Sequence, residues 1–428
     1  MPELPLAFYG DDFTGSVDVL LQLRRAGWRS RLLLGLPDSA RLAAAAEGVD
    51  ALGIAGIARS LPTEHIDAEV RPALEALRGL GARVVQYKAC STADSSPGVG
   101  SLGRVIEIAR EVFGAAPVPA LFAQPDFGRF TAFGHHFAAE DGVVHRLDRQ
   151  PTMSSHPVTP MHESDLAVHL SRQTALPIGH IPFTHYASPQ AVALRLAEAE
   201  EAALVLDALS DDDVALVAEA IASIADPARP QFVLGSGGLS SGLGRALAVT
   251  GEARAVEEQP LNPVGAVLAV SGSRSPQTAR QVRAAELAGW ASIPLPLEAD
   301  DPVAAVRERV LAELRAGRSV VVTTGETEVT DDGSDLVGRI TGQLAALLAT
   351  ALQAEVTRRV IVCGGDTSSR VVRLLGADSL SIAANPVGNV VLCSVSSTLD
   401  WLDGVEMLLK GGQVGPVDLF DQVRLLVR

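Results

Sequence analysis

Six short segments carry residue types able to do chemistry. Asp11 and Asp12 stand together in Tyr9-Gly10-Asp11-Asp12-Phe13-Thr14-Gly15, directly after the apolar run 4–9. Paired carboxylates at a strand end suit proton abstraction or hydroxyl binding, one facing ligand while the other caps a helix. The plain alternative is an ordinary helix entry with Asp as N-cap. Lys88-Ala89-Cys90-Ser91-Thr92-Ala93-Asp94-Ser95-Ser96 also follows an apolar run. There Lys88 suits a carboxylate, and Ser91, Thr92 and Asp94 suit the hydroxyls of a polyhydroxylated acid. A polar loop with a helix cap is the simpler reading. The third segment, 128–160, holds Arg129, His135, His136, Arg146, Arg149 and His156. It offers positive charge, but no HExxH, HxH or Cys/His spacing supports zinc. For any single histidine there, a solvated loop is the default.

Three further segments lie in the second half. Ser271-Gly272-Ser273-Arg274-Ser275-Pro276 places small residues ahead of a proline suited to the first helical position. Gly364-Gly365-Asp366-Thr367-Ser368 and Lys410-Gly411-Gly412-Gln413-Val414-Gly415 repeat the pattern of a strand end followed by glycines. Backbone N–H groups at such turns form anion sites. Together they read as a phosphate or nucleotide cradle, though none of the three is itself a GxxxxGK[ST] loop or a GxGxxG fingerprint.

These segments must be held by regular elements, and the chain supplies them. Short apolar runs alternate with amphipathic stretches, the pattern of βα units and a mostly parallel sheet. Strands are predicted at 4–9, 31–34, 50–55, 83–87, 119–123, 203–206 and 231–234, with helices at 15–26, 63–80 and 99–113. The rhythm breaks over 128–160, an irregular stretch. The polar segment 251–263 marks a boundary between domains 1–250 and 264–428. Beyond it, strands are predicted at 267–270, 319–323 and 360–363, and helices at 276–287 and 335–352. The fold class is therefore α/β, with two domains each built on a mostly parallel sheet flanked by helices.

Composition narrows the partners. The chain has 428 residues, 47% of them hydrophobic, enough for two cores. A net charge of −16 disfavours nucleic acid and anionic membranes, so an anionic substrate needs locally gathered cations. Cys90, Cys363 and Cys393 form no CxxC pair and suggest a reducing compartment. The N-terminus lacks signal-peptide character and no apolar run reaches about 18 residues, so a cytoplasmic location is expected. All nine histidines fall between His65 and His185, consistent with two domains of different duties. Rival classes are a two-domain sugar-nucleotide enzyme and a sugar-acid binding protein.

Taken in order, the motifs resemble the four-carbon acid sugar kinase family over nearly the whole chain. Gly10-Asp11-Asp12-Phe13-Thr14-Gly15 resembles its opening signature. Lys88–Ser95 and His156-Pro157-Val158-Thr159-Pro160-Met161 resemble segments of its 3-oxo-tetronate kinase branch. Ser271–Ser273, Gly364–Thr367 and Lys410–Gly415 resemble its nucleotide-domain motifs. The resemblance implies a sugar-acid-binding N-terminal domain, an ATP-binding C-terminal domain and an active site in the cleft between them. It implies Asp12, Arg59, Lys88, Ser91, Thr92, Asp94 and His156 as substrate-side residues; Asp12, projecting from a strand end, is the candidate catalytic base, with Asp11 and Asp94 as alternatives and Asp11 also a substrate-binding candidate. Ser271, Ser273, Gly364, Gly365, Asp366, Thr367 and Gly412 would bind ATP. Mg²⁺ would bridge the phosphates with Asp366 in its outer sphere, the polar connection would act as a hinge, and a homo-oligomer is allowed. Ala93 replaces an aromatic residue usual in the 3-oxo-tetronate kinases, and Lys410–Gly415 departs from Lys-Ser-Gly-Asn-Phe-Gly. Both departures resemble the branch acting on 3-oxo-isoapionate, with a wider pocket expected at Ala93. 3-Oxo-tetronate, then threonate or erythronate, follow as substrates.

Overall fold

A computed structural model describes residues 4–140, 142–156, 158–226, 228–247, 261–262, 265–324 and 336–427. The chain divides into two compact units, Met1–Val256 and Glu257–Arg428. Most of the connection read as a boundary and hinge, 251–260 and 263, lies outside the described residues.

The first unit contains β1 (Leu6–Gly10), β2 (Ser30–Leu33), β3 (Ala51–Ala55), β4 (Val84–Lys88) and β5 (Val118–Leu121). Then come β6 (Arg129–Ala132), β7 (His135–Glu140) and β8 (Val143–Arg146). β9 (Ile178–Ile181), β10 (Ala203–Leu206) and β11 (Gln231–Gly235) complete it. All but β6–β8 form a parallel sheet in the order β2-β3-β1-β4-β11-β5-β10-β9. Strands such as Leu6–Gly10 and Val84–Lys88 are buried at every residue, as a sheet covered on both faces requires. One covering helix, Thr63–Gly79, contains Pro72, a break that costs about 3 kcal/mol. Burial of Ile66, Val70, Leu74 and Leu77, at about 1.5–3 kcal/mol each, outweighs it.

The stretch expected to be irregular, 128–160, instead opens with a three-stranded antiparallel sheet, β6-β7-β8, and only its remainder is short turns and loop. Its first turn is Phe133-Gly134, with φ values of 51° and 79°. A two-residue hairpin needs positive φ at both positions, and phenylalanine seldom provides it. Here Asp207 imposes the turn, accepting from Phe133 N at 2.6 Å and Gly134 N at 3.0 Å.

The second unit contains β12 (Leu268–Ser271), β13 (Ala291–Pro294), β14 (Val320–Thr323) and β15 (Arg359–Cys363). β16 (Ser379–Val387), β17 (Val390–Ser396) and β18 (Glu406–Lys410) follow. The order is β13-β14-β12-β15-β18-β17-β16. β13, β14, β12, β15 and β18 run parallel, and β17 is antiparallel to both of its neighbours. Helix Leu336–Gln353 stands where 335–352 was expected, with 335 outside the described residues. Among the described residues no helix is long and apolar enough to cross a membrane.

In each unit the chain leaves its first strand toward one side and later continues on the other. The crevices at these reversals lie at the carboxyl ends of β1 and β4, and of β12 and β15. Ligands of open α/β sheets gather at such points. Asp11, Asp12 and Lys88 occupy the first; Ser271–Ser273 and Gly364–Thr367 occupy the second.

Candidate active site

Backbone hydrogen bonds lock the loops after β1, β3 and β4 together. Asp11 N donates to Lys88 O at 3.0 Å, Arg59 N to Asp11 O at 3.1 Å, and Gly56 N to Gly10 O at 2.9 Å. The side chains repeat the connection. Arg59 Nη2 lies 2.7 Å from Asp11 Oδ1 and 2.9 Å from Asp12 Oδ1, with Nε 3.3 Å from Asp11 Oδ2. Asp11 is fully buried, and burial, only partly offset by Arg59, holds its carboxyl above the usual range.

Asp12 does two jobs. Its Oδ1 caps helix Phe13–Arg25, accepting from Gly15 N at 2.8 Å, and also meets Arg59. Both bonds fall on Oδ1, so Oδ2 has no partner among the described residues. A methyl group on Gly15 would lie 2.5 Å from Asp12 Oδ1, 3.0 Å from Lys88 Nζ and 3.6 Å from Arg59 Nη2. Glycine at 15 is what lets these three groups converge. The sequence reading divided the carboxylates between ligand and cap; here the cap is Asp12, and Asp11 is the buried ion-pair partner.

Lys88 is buried, and its Nζ donates to Ala89 O at 2.9 Å. Beyond it, Thr92 Oγ1 donates to Asp94 Oδ1 at 2.6 Å and lies 3.0 Å from Cys90 Sγ. Ser91 is buried just beside them. Ser95 Oγ sits 2.9 Å from His169 Nε2 and accepts from Gln173 Nε2 at 2.9 Å, fastening the loop to helix Leu166–Ser171. Burial pushes His169 down to about 4, so it is neutral at pH 7. Ala93 is fully buried with φ 52°, so its small side chain alters packing beneath the loop rather than opening its surface.

His156 has local partners: its Nδ1 accepts from Thr159 N at 3.0 Å and lies 3.0 Å from Thr159 Oγ1. No hydrogen bond or ion pair among the described residues joins it to Asp12, Lys88 or Asp94. Its segment is anchored by Met161, which is buried and bonded through its backbone to Met153.

In the second unit three loops interlock through missing side chains. A methyl on Gly272 would sit 2.9 Å from Thr367 Oγ1, and one on Gly412 would sit 2.8 Å from Ser273 Oγ and from Ser275 Cβ. Gly364 has φ 117°, open to glycine but strained for other residues. Gly365 faces open space at the start of helix Gly365–Leu374, and the N-cap, Gly364, supplies no side-chain acceptor. Such an end suits an anion. Ser271, Ser273 and Ser275 hydroxyls accept from the backbone N two residues on, at 3.3, 3.2 and 3.2 Å, coiling the loop.

Thr278, missed in the sequence reading, and Lys410, read there only as the head of its glycine motif, organise this site. Thr278 Oγ1 donates to Gly412 O at 2.8 Å, and Lys410 Nζ donates to Thr278 Oγ1 at 3.0 Å. Lys410 is buried, which holds its ammonium below the usual range. The signal was a lysine closing an apolar strand. Gly412→Ala should therefore disturb this junction by about 1–3 kcal/mol. The expected result is roughly 10-fold weaker ATP binding by calorimetry, with acid binding unchanged.

Donors for Mg²⁺ are sparse but suitable. No group of three or more His, Cys, Asp or Glu forms a ready-made metal cage among the described residues. Hydroxyls of Ser271, Ser273 and Thr367 fit a cation held mainly by phosphates and water, while the side chain of Asp366, expected in the outer sphere, lies outside what is described.

These two strand-end sites, one charged and one rich in small residues, belong to a two-domain α/β kinase. Residues 6–243 match the sugar-binding N-terminal domain and residues 268–420 the nucleotide-binding C-terminal domain. The chain belongs to the four-carbon acid sugar kinase family. It is 37% identical to the 3-oxo-isoapionate kinase of Paraburkholderia graminis, covering 98% of this chain and 94% of that one. A 3-oxo-tetronate kinase of Methylobacterium radiotolerans is 32% identical over 97% of this chain and 98% of its own. The fold matches the crystal structure of Haemophilus influenzae protein HI1011 with a TM-score of 0.77. That likeness is at 23% identity and covers 98% of this chain and 99% of the other. Family membership displaces the sugar-nucleotide enzyme and binding-protein readings.

Proposed function

We propose that this kinase uses ATP to phosphorylate a hydroxyl of a small 3-oxo sugar acid, with 3-oxo-isoapionate (giving the 4-phosphate) as first candidate. The observation that carries the reading is the convergence of Asp12, Arg59 and Lys88 on Gly15 at the β1–β4 crevice. Similarity to the Paraburkholderia graminis enzyme favours 3-oxo-isoapionate. 3-Oxo-tetronate is the second candidate, and a tetronate the third, since a D-threonate kinase of Bordetella bronchiseptica is 29% identical.

Phosphoryl transfer depends on in-line positioning and charge neutralisation. Asp12 Oδ2 accepts the proton of the substrate hydroxyl as its oxygen bonds to the γ-phosphorus and the bond to ADP breaks. Arg59 keeps Asp12 in place. Asp11 acts behind Arg59, and Lys88, Ser91, Thr92, Asp94 and His156 bind the acid. Backbone groups of Gly364–Thr367 and the hydroxyls of Ser271 and Ser273 hold the phosphates, with Gly412 permitting close approach. The hydroxyls of Ser271, Ser273 and Thr367 would help to hold Mg²⁺, which would supply neutralisation of phosphate charge.

A coupled ADP-release assay against tetronates, their 3-oxo forms and 3-oxo-isoapionate tests this. Turnover confined to 3-oxo-isoapionate is expected. Turnover on 3-oxo-tetronate alone would move the substrate to the second candidate. Silence on every acid, with no ATP binding, would overturn the kinase reading itself.

A further inference from the structure

The small sheet β6-β7-β8 has no part in the chemistry above, yet one of its faces abuts the acid-binding loop. Arg129 pairs with Ala138, and Thr131 with His136, so these four residues share a face. Thr131, His136 and Ala138 are fully buried on it, and Arg129 is half-buried. Among the described residues three buried side-chain nitrogens or oxygens lack a hydrogen-bond partner, and two are Arg129 Nε and His136 Nε2. A buried donor without an acceptor is costly, and each one calls for an explanation by strain, water, an ion or a ligand.

Both donors border the segment 90–94. Arg129, held below its ordinary range by burial, feels the opposing pull of Cys90, Asp94 and Glu140. His136, pushed down to about 3 by burial, has the Ser91 backbone within hydrogen-bonding reach and Arg129 nearby, so Arg129 Nε is the donor left for a ligand. Thr131 Oγ1 is 2.9 Å from His136 Nδ1, and with that hydroxyl donating, the imidazole proton sits on Nε2. The face therefore turns donors, not acceptors, toward the loop.

Arg129 is also fixed in an unusual way. Its Nη1 donates to the carbonyls of Phe127, Gly128 and Ala139 at 3.0, 3.4 and 3.2 Å, and the guanidinium stacks 5.2 Å above the Phe127 ring. It makes no ion pair among the described residues. These bonds leave the Nε–Nη2 edge unengaged, the edge that grips a carboxylate through two parallel hydrogen bonds. The other cations compete poorly. Arg59 is committed to Asp11 and Asp12, and Lys88 is buried against the Ala89 carbonyl beside Asp11. Two cations there face two carboxylates, so that cluster has no surplus charge for an anion.

We propose that Arg129 is the residue that binds the carboxylate of the sugar acid, a role assigned to Lys88 from the sequence. The inference rests on the sugar-acid kinase reading. It adds that the enzyme tells an acid from a neutral sugar through β6 and not through the catalytic crevice.

The test compares the preferred acid with the neutral ketose carrying CH₂OH in place of the carboxylate, as substrate or as competitive inhibitor. Arg129→Gln should raise KM for the acid about 10- to 100-fold and leave the ketose constant unchanged. Arg129→Lys, which keeps the charge but loses the fork, should fall between. Unchanged KM for ATP in both variants would show the second unit intact. An unchanged KM for the acid, or an equal rise for acid and ketose, would overturn the proposal. So would collapse of the acid preference in Lys88→Met but not in Arg129→Gln. A wild-type enzyme silent on every acid would instead sink the kinase reading.

Discussion

Asp12→Asn should lower kcat by about 10²- to 10⁴-fold while leaving ATP affinity within a factor of two or so. The substitution isolates the charge. Asparagine caps helices about as well as aspartate, so the Gly15 N–H keeps its acceptor and helix Phe13–Arg25 keeps its start. What disappears is the Oδ2 that takes the substrate proton and one of the two negative charges facing Arg59. Steady-state kinetics with saturating acid and Mg-ATP, alongside ATP titration by calorimetry, measure both effects. A variant that turns over like wild type would remove Asp12 from the role of base. A variant that loses ATP binding as well would point to misfolding, which thermal unfolding would reveal.

How much of this was legible in the sequence depends on whether the signal was local. Strand ends carrying Asp11–Asp12, Lys88, Ser271 and Gly364 were visible because continuous apolar runs end abruptly in small or charged residues. Helix Pro276–Leu287 was found to the residue, since proline after serine marks its first turn. The helix after Cys363 begins at Gly365, a start that two glycines hide from a reading by pattern. β6–β8 escaped for a different reason. Its strands are short and rich in His and Arg, and its Phe133-Gly134 turn is enforced by Asp207, far away in the chain. The Asp141-Gly142 pair was an available hairpin signal that the histidines obscured. Long-range partners were illegible in the same way. Nothing near position 59 announced that its backbone and its guanidinium would both bind Asp11. Nor did Lys410 reveal that it would reach Thr278.

Arg59→Met should destabilise the first unit by about 3–5 kcal/mol, because it leaves Asp11 buried without its counter-ion. For a unit of this size that is a fall in Tm of roughly 10 °C. The loss should depend on pH. Burial already holds the Asp11 carboxyl above its usual range, with Arg59 opposing; removing Arg59 lifts it further. A carboxyl whose folded pKa exceeds its unfolded value lends stability that is complete below the unfolded pKa, about 3.9, and is lost as pH rises through the folded value. The variant should therefore come nearest to wild type close to pH 4 and fall away toward neutrality. Arg59→Met combined with Asp11→Asn, which removes the stranded charge, should recover a large part of the stability at pH 7 and flatten the pH dependence. Thermal unfolding of wild type and both variants between pH 4 and pH 8 decides it. A loss below 1 kcal/mol that is the same at every pH would mean that Arg59 is only a surface clamp. The acid site would then owe its architecture to the backbone bonds among the β1, β3 and β4 loops, and not to the buried pair.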